Sequence, residues 1–505
     1  MFRIFGPPGT GKTTTLLNMV DKALEDGVDP TRIAFLAFTR KAANEAKERA
    51  AARFNLDPKE DLLFFRTLHS LALTMSDIRP EQVMQEENYR ELSRTIGVEL
   101  GGQKNTSIDD DVPSMVASSD PVLGLINLAR LRKVPLRDQY NISDIEQDWN
   151  TVNFVANSLK EYKEAMGLFD FTDMLEHFAN GDARYCPEFE LCFLDEAQDL
   201  SPLQWDIAHL LDRRSKKMYC AGDDDQAIYR WAGADVDHFI NLPGGSETLS
   251  KSYRIPRRVH EVAENVVRRI ARRFPKKYLP REEPGNVTRI TTINSLDMAQ
   301  GDWLILSQAG YQLTPVANDL KSNGYLFNYR GRRSISEKIS EAVNGWEQMR
   351  KGKEVSGKVA RIIYSYMSIG ERLTRGFKKL PGIDDNDLVT FDDLAEHHGL
   401  LATKEMIWSE AMDKLPPTDR AYITALLRRG EKFNGIPRIT ASTIHGSKGG
   451  EADNVVLFTD LSPAADVQFQ QSPDDTHRVF YVGVTRARKN LYIVDAEDVS
   501  RSYDL

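Results

Sequence analysis

The stretch that most constrains this chain is Gly6-Pro7-Pro8-Gly9-Thr10-Gly11-Lys12-Thr13, a complete G-x-x-x-x-G-K-[ST] pattern. An apolar run, Phe2–Phe5, precedes it, and a helix-patterned run, Thr13–Leu24, follows. The chemistry needs each residue type where it stands. Glycines let backbone N–H groups turn inward around a phosphate chain, and the helix that follows presents its positive end. Lys12 reaches the β- and γ-phosphates, and the Thr13 hydroxyl ligates magnesium. A chance glycine turn would lack this strand-and-helix frame. Gly6, Gly9, Thr10, Gly11, Lys12, Thr13 and Thr14 are the candidate nucleotide-binding residues, with ATP and Mg2+ as cofactors.

A loop of this kind sits on a parallel sheet, and the rest of the chain supplies one. Ile33–Phe38 reads as a second strand and Ala42–Arg53 as a helix. Leu191–Leu194 and Met218–Ala221 read as buried strands, with Pro202–Leu211 helical between them. The alternation predicts an α/β fold with a parallel sheet covered by helices. From Ser76 to Ala165 the pattern turns polar and helical, with an acidic run at Asp109–Asp111 read as a solvated loop. A second set of strands is expected at Trp303–Ser307, Ile439–Ser442, Val455–Phe458 and Leu491–Val494, interrupted by helical, polar Ile335–Gly435.

The chain has 505 residues, enough for three or four domains. Its net charge is −9, so any nucleic-acid site must be a local groove. The three cysteines fit neither a zinc site nor a disulfide framework, which suits a reducing cytoplasm. No apolar run is long enough for a membrane helix.

Leu191–Leu194 ends in Asp195-Glu196. Asp195 at the strand end can hold magnesium, and Glu196 can polarise an attacking water. Gly222-Asp223-Asp224-Asp225-Gln226 follows the next strand, with Gln226 placed to sense a γ-phosphate. Tyr229 and Trp231 lie just beyond. Local sequence reads equally as base-stacking aromatics or as core. Lys251–Arg281 carries eleven Lys/Arg against two Glu, with an apolar stripe at Val259, Val262, Val266, Val267 and Ile270. A docked helix with a solvated basic face is preferred there over a face along a nucleic-acid backbone.

Together these motifs resemble the superfamily 1A helicases of the UvrD/PcrA/Rep type, in a compact, phage-like form. Ala37–Ala43 resembles motif Ia, Arg66–Ser70 motif Ib, and Phe171–Leu175 the element ahead of motif II. Asp195–Asp199 resembles motif II, Gly222–Trp231 motif III, Ser252-Tyr253-Arg254 motif IV, Thr443–Glu451 motif V, and Tyr481–Ala487 motif VI. The resemblance implies two RecA-like P-loop NTPase domains, each carrying a mostly helical insertion. These are 1A (1–75 and 166–248), 1B (76–165), 2A (249–334 and 436–505) and a reduced 2B (335–435).

By the same resemblance, Lys12, Asp195, Glu196, Gln226, Arg254 and Arg486 are catalytic. Thr13 and Asp195 take the metal, Tyr253 stacks on adenine, and Glu451 binds ribose. Phe38, Thr39, His69, Tyr229, Trp231 and His445 line a single-strand track, a core or capping role staying open for His69 and His445. The implied activity is ATP-dependent 3′→5′ unwinding or translocation on single-stranded DNA, in replication, recombination or repair. Implied partners are single-stranded DNA, duplex junctions and replication or repair proteins, with a monomeric, cytoplasmic, membrane-free enzyme. The alternatives are a translocase that displaces proteins without unwinding, and a DNA-binding scaffold with weak ATPase. The family's adenine-reading Gln ahead of the phosphate loop has no counterpart in Met1–Phe5, so weak base discrimination is expected.

Overall fold

The computed structural model describes residues 1–37, 40–101, 120–181, 186–433 and 435–505. Phe38, Thr39 and the Asp109–Asp111 run lie outside the described residues. The chain divides into two compact units. The first holds Met1–Arg289, Ile444–Glu451 and Thr459–Leu505, and the second Ile290–Thr443 and Ala452–Phe458.

The first unit opens with β1 (Phe2–Phe5), α1 (Lys12–Glu25), β2 (Ile33–Ala37), α2 (Arg40–Phe54), β3 (Phe65–Thr67) and α3 (Leu68–Met75). Four helices follow: α4 (Glu86–Ile96), α5 (Pro121–Arg132), α6 (Leu136–Asn141) and α7 (Trp149–Met166). Then come α8 (Phe171–Asn180), β4 (Phe189–Leu194), α9 (Pro202–Arg213), β5 (Ser215–Gly222), α10 (Val236–Asn241) and β6 (Ser246–Thr248). The six strands form one sheet in the order β3-β2-β4-β5-β1-β6, every pair parallel.

Every residue of β2 is buried. That is why it reads as an unbroken apolar run and not as an alternation. The period of two sorts its side chains onto opposite faces. Phe5, Ala34, Leu36, Cys192 and Leu194 join one core, under α3, α8 and α9. Ile4, Ile33, Phe35 and Phe193 join the other, under α1 and α2. On that second face a ring ladder crosses four strands, Phe65 on Phe35, Phe35 on Phe193, and Phe193 on Tyr219. Helices α4, α5 and α7 have a separate small core around Tyr89, Leu123 and Val155.

The basic stretch is less helical than its stripe suggests. It splits into β7 (Lys251–Pro256), α11 (Arg257–Val267) and β8 (Leu279–Arg281), with β7 and β8 paired in parallel, and β9 (Asn286–Ile290) follows. The second unit begins with β10 (Trp303–Ser307), α12 (Leu313–Ser322), β11 (Phe327–Tyr329), β12 (Arg332–Arg333) and α13 (Glu337–Arg350). It continues with β13 (Val355–Ser356), α14 (Gly357–Ser365), β14 (Leu388–Val389), α15 (Phe391–His397), α16 (Trp408–Ala411), α17 (Pro417–Arg429), β15 (Ile439–Thr443) and β16 (Ala452–Phe458). Here β11, β15, β10 and β16 are parallel neighbours, with β12 turned back on β11 as a hairpin. The small antiparallel pair β13–β14 gave no sequence signal, because two residues are too few to show a period. The chain returns to the first unit in α18 (Pro463–Gln471), α19 (Pro473–Val484) and β17 (Ala487–Val494). Among the described residues, no helix is long and apolar enough to cross a membrane.

Candidate functional site

Three neighbouring strands, β4, β5 and β1, end side by side, and the loops after them build the site. In open parallel sheets ligands bind at these carboxyl ends. The Gly6 amide donates to the Gly222 carbonyl at 2.9 Å, which joins the loop after β1 to the loop after β5. Gly6 must be glycine, because a Cβ there would lie 1.7 Å from Lys12 Cγ. A Cβ on Gly9 would meet Arg254 Cβ at 2.3 Å, and its φ of 72° disfavours other residues. The Thr10 hydroxyl closes the loop on the Pro7 carbonyl at 2.7 Å. No side chain caps the start of α1, so its first amides face the loop as anion donors. Lys12 Nζ donates to the Gly6 carbonyl at 3.1 Å and lies 3.6 Å from Glu196 Oε1. Thr14 is exposed beside it.

The Asp195 amide donates to the Leu36 carbonyl at 2.8 Å, which extends the β2–β4 ladder to the carboxylates. Thr13 Oγ1 donates to Asp195 Oδ2 at 2.5 Å. These are hard oxygen donors at the mouth of the phosphate loop, the ligand type magnesium takes, so the residues fit a magnesium–nucleotide. Glu196 sits in the left-handed region at φ 55°, a conformation that costs a non-glycine residue of order 1 kcal/mol or more. Gln198 Nε2 donates to Glu196 Oε2 at 2.6 Å and to Asp199 Oδ2 at 3.1 Å. Burial, with the Glu196 charge beside it, pushes the Asp195 carboxyl up to about 6. Burial would raise Glu196 too, but Lys12 and Lys448 outweigh it and hold that carboxyl down at about 2. Glu196 is therefore ionised at neutral pH.

On the far side, Gln226 Nε2 donates to Asp223 Oδ2 at 2.6 Å, and its Oε1 accepts from Arg486 Nη2 at 2.7 Å. Arg486 follows α19 and also donates to the Val482 and Gly450 carbonyls. Burial and the neighbouring Arg254 lower its pKa to about 9, which leaves it a cation at neutral pH. Arg254 Nε donates to Glu451 Oε2 at 2.5 Å, and Arg488 lies 3.6 Å from Glu451 Oε1. Tyr253 is held by its amide to the Gly9 carbonyl at 2.8 Å, while its ring is 71% exposed. The position is open enough to take a flat base.

A second cluster adjoins the first. The rings of Tyr229, Trp231 and His445 form a triangle with centroids 6.2–6.5 Å apart. Tyr229 is 3% exposed and donates its hydroxyl to the His445 carbonyl at 3.2 Å, whereas Trp231 is 45% exposed. Lys448 joins the two clusters. Its ammonium pairs with Asp199, lies 3.6 Å from Glu196 Oε2, donates to the Gln226 carbonyl at 3.0 Å, and stands 5.0 Å from the Tyr229 ring centre. Burial, with Lys448 beside it, lowers His445 to about 4, so its imidazole is neutral. His69, on α3, is lowered to about 4 by burial and the Arg40 charge, and its Nε2 has no hydrogen-bond partner among the described residues.

Residues 2–244 match the family model of the UvrD/REP helicase N-terminal domain, and residues 438–494 that of the UvrD-like helicase C-terminal domain. The chain belongs to the UvrD/PcrA-type superfamily 1 helicases. The "ATP-dependent DNA helicase PcrA" of Leuconostoc citreum is 28% identical over 287 residues, which cover 54% of this chain and 38% of that protein. The protein of the same name from Bacillus subtilis (strain 168) is 22% identical over 604 residues, 97% of this chain and 80% of that one. Its counterpart in Staphylococcus aureus (strain Mu50 / ATCC 700699) is 24% identical over 54% of this chain and 38% of its own. The chain thus spans little more than a third of two of these relatives. A solved structure titled "The structure of PRRSV helicase" aligns at 13% identity and a TM-score of 0.34, over 100% of this chain and 54% of that one, too low to inform the fold.

In this chain the basic stretch is largely engaged in ion pairs. Arg268 faces Glu264, Arg269 Asp504, Arg272 Asp237, and Arg281 Glu283. These four pairs lie on partly exposed side chains, whereas Arg273 and Lys276 of the same stretch turn inward onto Asp225, so a solvated basic face describes only part of it. Sequence reasoning gave no role to Lys448, Gln198 or Lys276. Lys448 stood inside the motif V match, and the signal that could have singled it out was a lone cation among glycines.

Proposed function

We propose that this chain is an ATP-dependent 3′→5′ DNA helicase that translocates on single-stranded DNA, with 1A, 1B, 2A and 2B bounded as the resemblance implies. One observation carries the reading. Lys12, Glu196, Gln226 and Arg486 converge beside the phosphate loop, and Lys448 ties that cluster to the Tyr229 ring, which packs against half-exposed Trp231.

The α1 amides and Lys12 bind the phosphates. Thr13 and Asp195 would hold magnesium, which would supply positive charge to the phosphates. Glu196, kept ionised by the two lysines, accepts the proton of the attacking water. Arg486 and Arg254 approach the γ-phosphate as arginine fingers and take up its developing charge. Tyr253 stacks on the base, and Glu451 exchanges Arg254 for the ribose. Trp231, with Tyr229 and His445 behind it, stacks on DNA bases. His69 is a further DNA-contact residue by the family resemblance, as are Phe38 and Thr39, which lie outside the described residues. Replication, recombination and repair intermediates, with their single strands and junctions, are the substrates this implies.

The test is strand displacement on duplexes with a 3′ or a 5′ single-stranded tail, alongside ATP hydrolysis with and without single-stranded DNA. Unwinding from the 3′ tail with DNA-stimulated hydrolysis is expected. Unwinding from a 5′ tail only would reverse the polarity. Stimulated hydrolysis without any strand displacement would leave a translocase.

A further inference from the structure

Three consecutive acids, Asp223, Asp224 and Asp225, are buried at the turn between β5 and Gln226. A buried carboxylate is costly unless paired, and these converge on one cation. Lys276 Nζ lies 3.0 Å from Asp223 Oδ1, 2.5 Å from Asp224 Oδ1 and 2.7 Å from Asp225 Oδ2, and its side chain is 1% exposed. Arg273 grips Asp225 with two donors, at 2.8 and 2.7 Å. The Phe274 amide donates to Asp224 Oδ2 at 2.7 Å, and buried Arg478 donates to the Asp224 carbonyl at 3.0 Å. The three carboxylates hold the Lys276 ammonium in its charged form against its burial.

This hub reaches the nucleotide site from Asp223, whose amide donates to Gln198 Oε1 at 3.0 Å and whose carboxylate meets the Gln226 side chain. Asp223 offers Oδ1 to Lys276 and Oδ2 to the Gln226 amide nitrogen. A carboxylate in an ion pair only accepts, and a guanidinium only donates. The Gln226 carboxamide, between Asp223 and Arg486, therefore has a single orientation, with NH2 toward Asp223 and oxygen toward Arg486. Without the ammonium, Asp223 Oδ1 keeps only the Asp225 amide at 3.3 Å, and the carboxylate that decides which way Gln226 faces is held less firmly.

We propose that Lys276 is a positioning residue for ATP hydrolysis, acting through Asp223 to fix the Gln226 carboxamide and, through it, Arg486. This rests on the helicase reading above. It assigns work to a lysine that touches neither nucleotide nor DNA. Ground-state phosphate binding rests on Lys12 and the α1 amides, so losing Lys276 should act on kcat and not on KM.

The experiment is a double-mutant cycle on the full chain. Lys276→Met is combined with Asp224→Asn, which removes one charge of each sign and leaves the net charge of the hub unchanged. The side-chain amide introduced by Asp224→Asn keeps an oxygen that can accept from the Phe274 amide. The pair is made in the parent and in Gln226→Ala, and Tm, kcat and KM for ATP are measured with saturating single-stranded DNA. In the parent, kcat should fall about tenfold at constant KM, and in Gln226→Ala less than about twofold, since residues acting through one another are not additive. An equal fall in both backgrounds, or none in the parent, overturns the proposal. If the pair lowers Tm by more than about 8 °C, Asp223→Ala is read by the same rule. It cuts the same link and leaves Lys276 two carboxylates. Absence of DNA-stimulated hydrolysis in the unsubstituted chain would count against the helicase reading itself, and not against this inference.

Discussion

The two ends of the segment from Gly222 to Trp231 are built by opposite means. At the phosphate end the side chains are charged or amide-bearing and paired: buried Gln226 between Asp223 and Arg486, and half-buried Glu196 among Lys12, Lys448 and Gln198. At the other end the contacts are between rings, and the outermost ring, Trp231, is half in solvent. The first end is preorganised to hold charge in a water-poor setting, where electrostatic stabilisation is large. The second keeps an aromatic face open for a ligand that supplies its own stacking partner. Lys448 touches both.

That contrast predicts where substitutions act. Arg486→Ala should have the largest effect, a loss of ~10³-fold or more in kcat, the scale on which arginine fingers work. Steady-state hydrolysis with saturating DNA measures it, and parent-like turnover would remove Arg486 from the phosphate end. Glu196→Gln should lose at least ~10²-fold in turnover, because a positioned base contributes about that much. Nucleotide binding, followed with a fluorescent analogue, should survive. Should this variant hydrolyse ATP near-normally, the water-activating group is another residue.

The aromatic end should respond more mildly, and its two rings differently. Trp231→Ala should weaken single-stranded DNA binding and the stimulation of hydrolysis by roughly 1–3 kcal/mol with Tm unchanged, because its ring is 45% exposed. Tyr229→Ala should lower stability by about 3–5 kcal/mol, since it empties a buried site. DNA titrations paired with thermal melts distinguish them, and equal effects of both on Tm would make the triangle a piece of core. The smallest effect concerns the base. Tyr253 offers an open face that stacks on any base, so kcat/KM for ATP should exceed that for GTP by less than about tenfold. A preference of a hundredfold or more would reveal a group that reads the base edge.

The legible parts of this protein were those where chemistry and chain contiguity coincide. The phosphate loop, the Asp195-Glu196 strand end and Gln226 each lie within a few residues of the strand that positions them, so pattern and place arrive together. Trp303–Ser307 was read to the residue because a strand buried on both faces is a plain apolar run. Short edges such as β3 and β6 and the β13–β14 pair carried no period to read. The basic stretch read as one helix, but β7 takes its first residues and α11 ends at Val267.

By itself, then, the sequence determined the nucleotide chemistry, the α/β class and the family, because these rest on residue types at fixed spacings and on local periodicity. Tertiary structure alone decided which of two nearby aromatics is buried, that Lys448 serves both clusters, and that Lys276 pairs with three carboxylates about fifty positions away. Burial and long-range pairing depend on which surfaces meet when the chain closes on itself, and the spacing of residues along the chain does not record that.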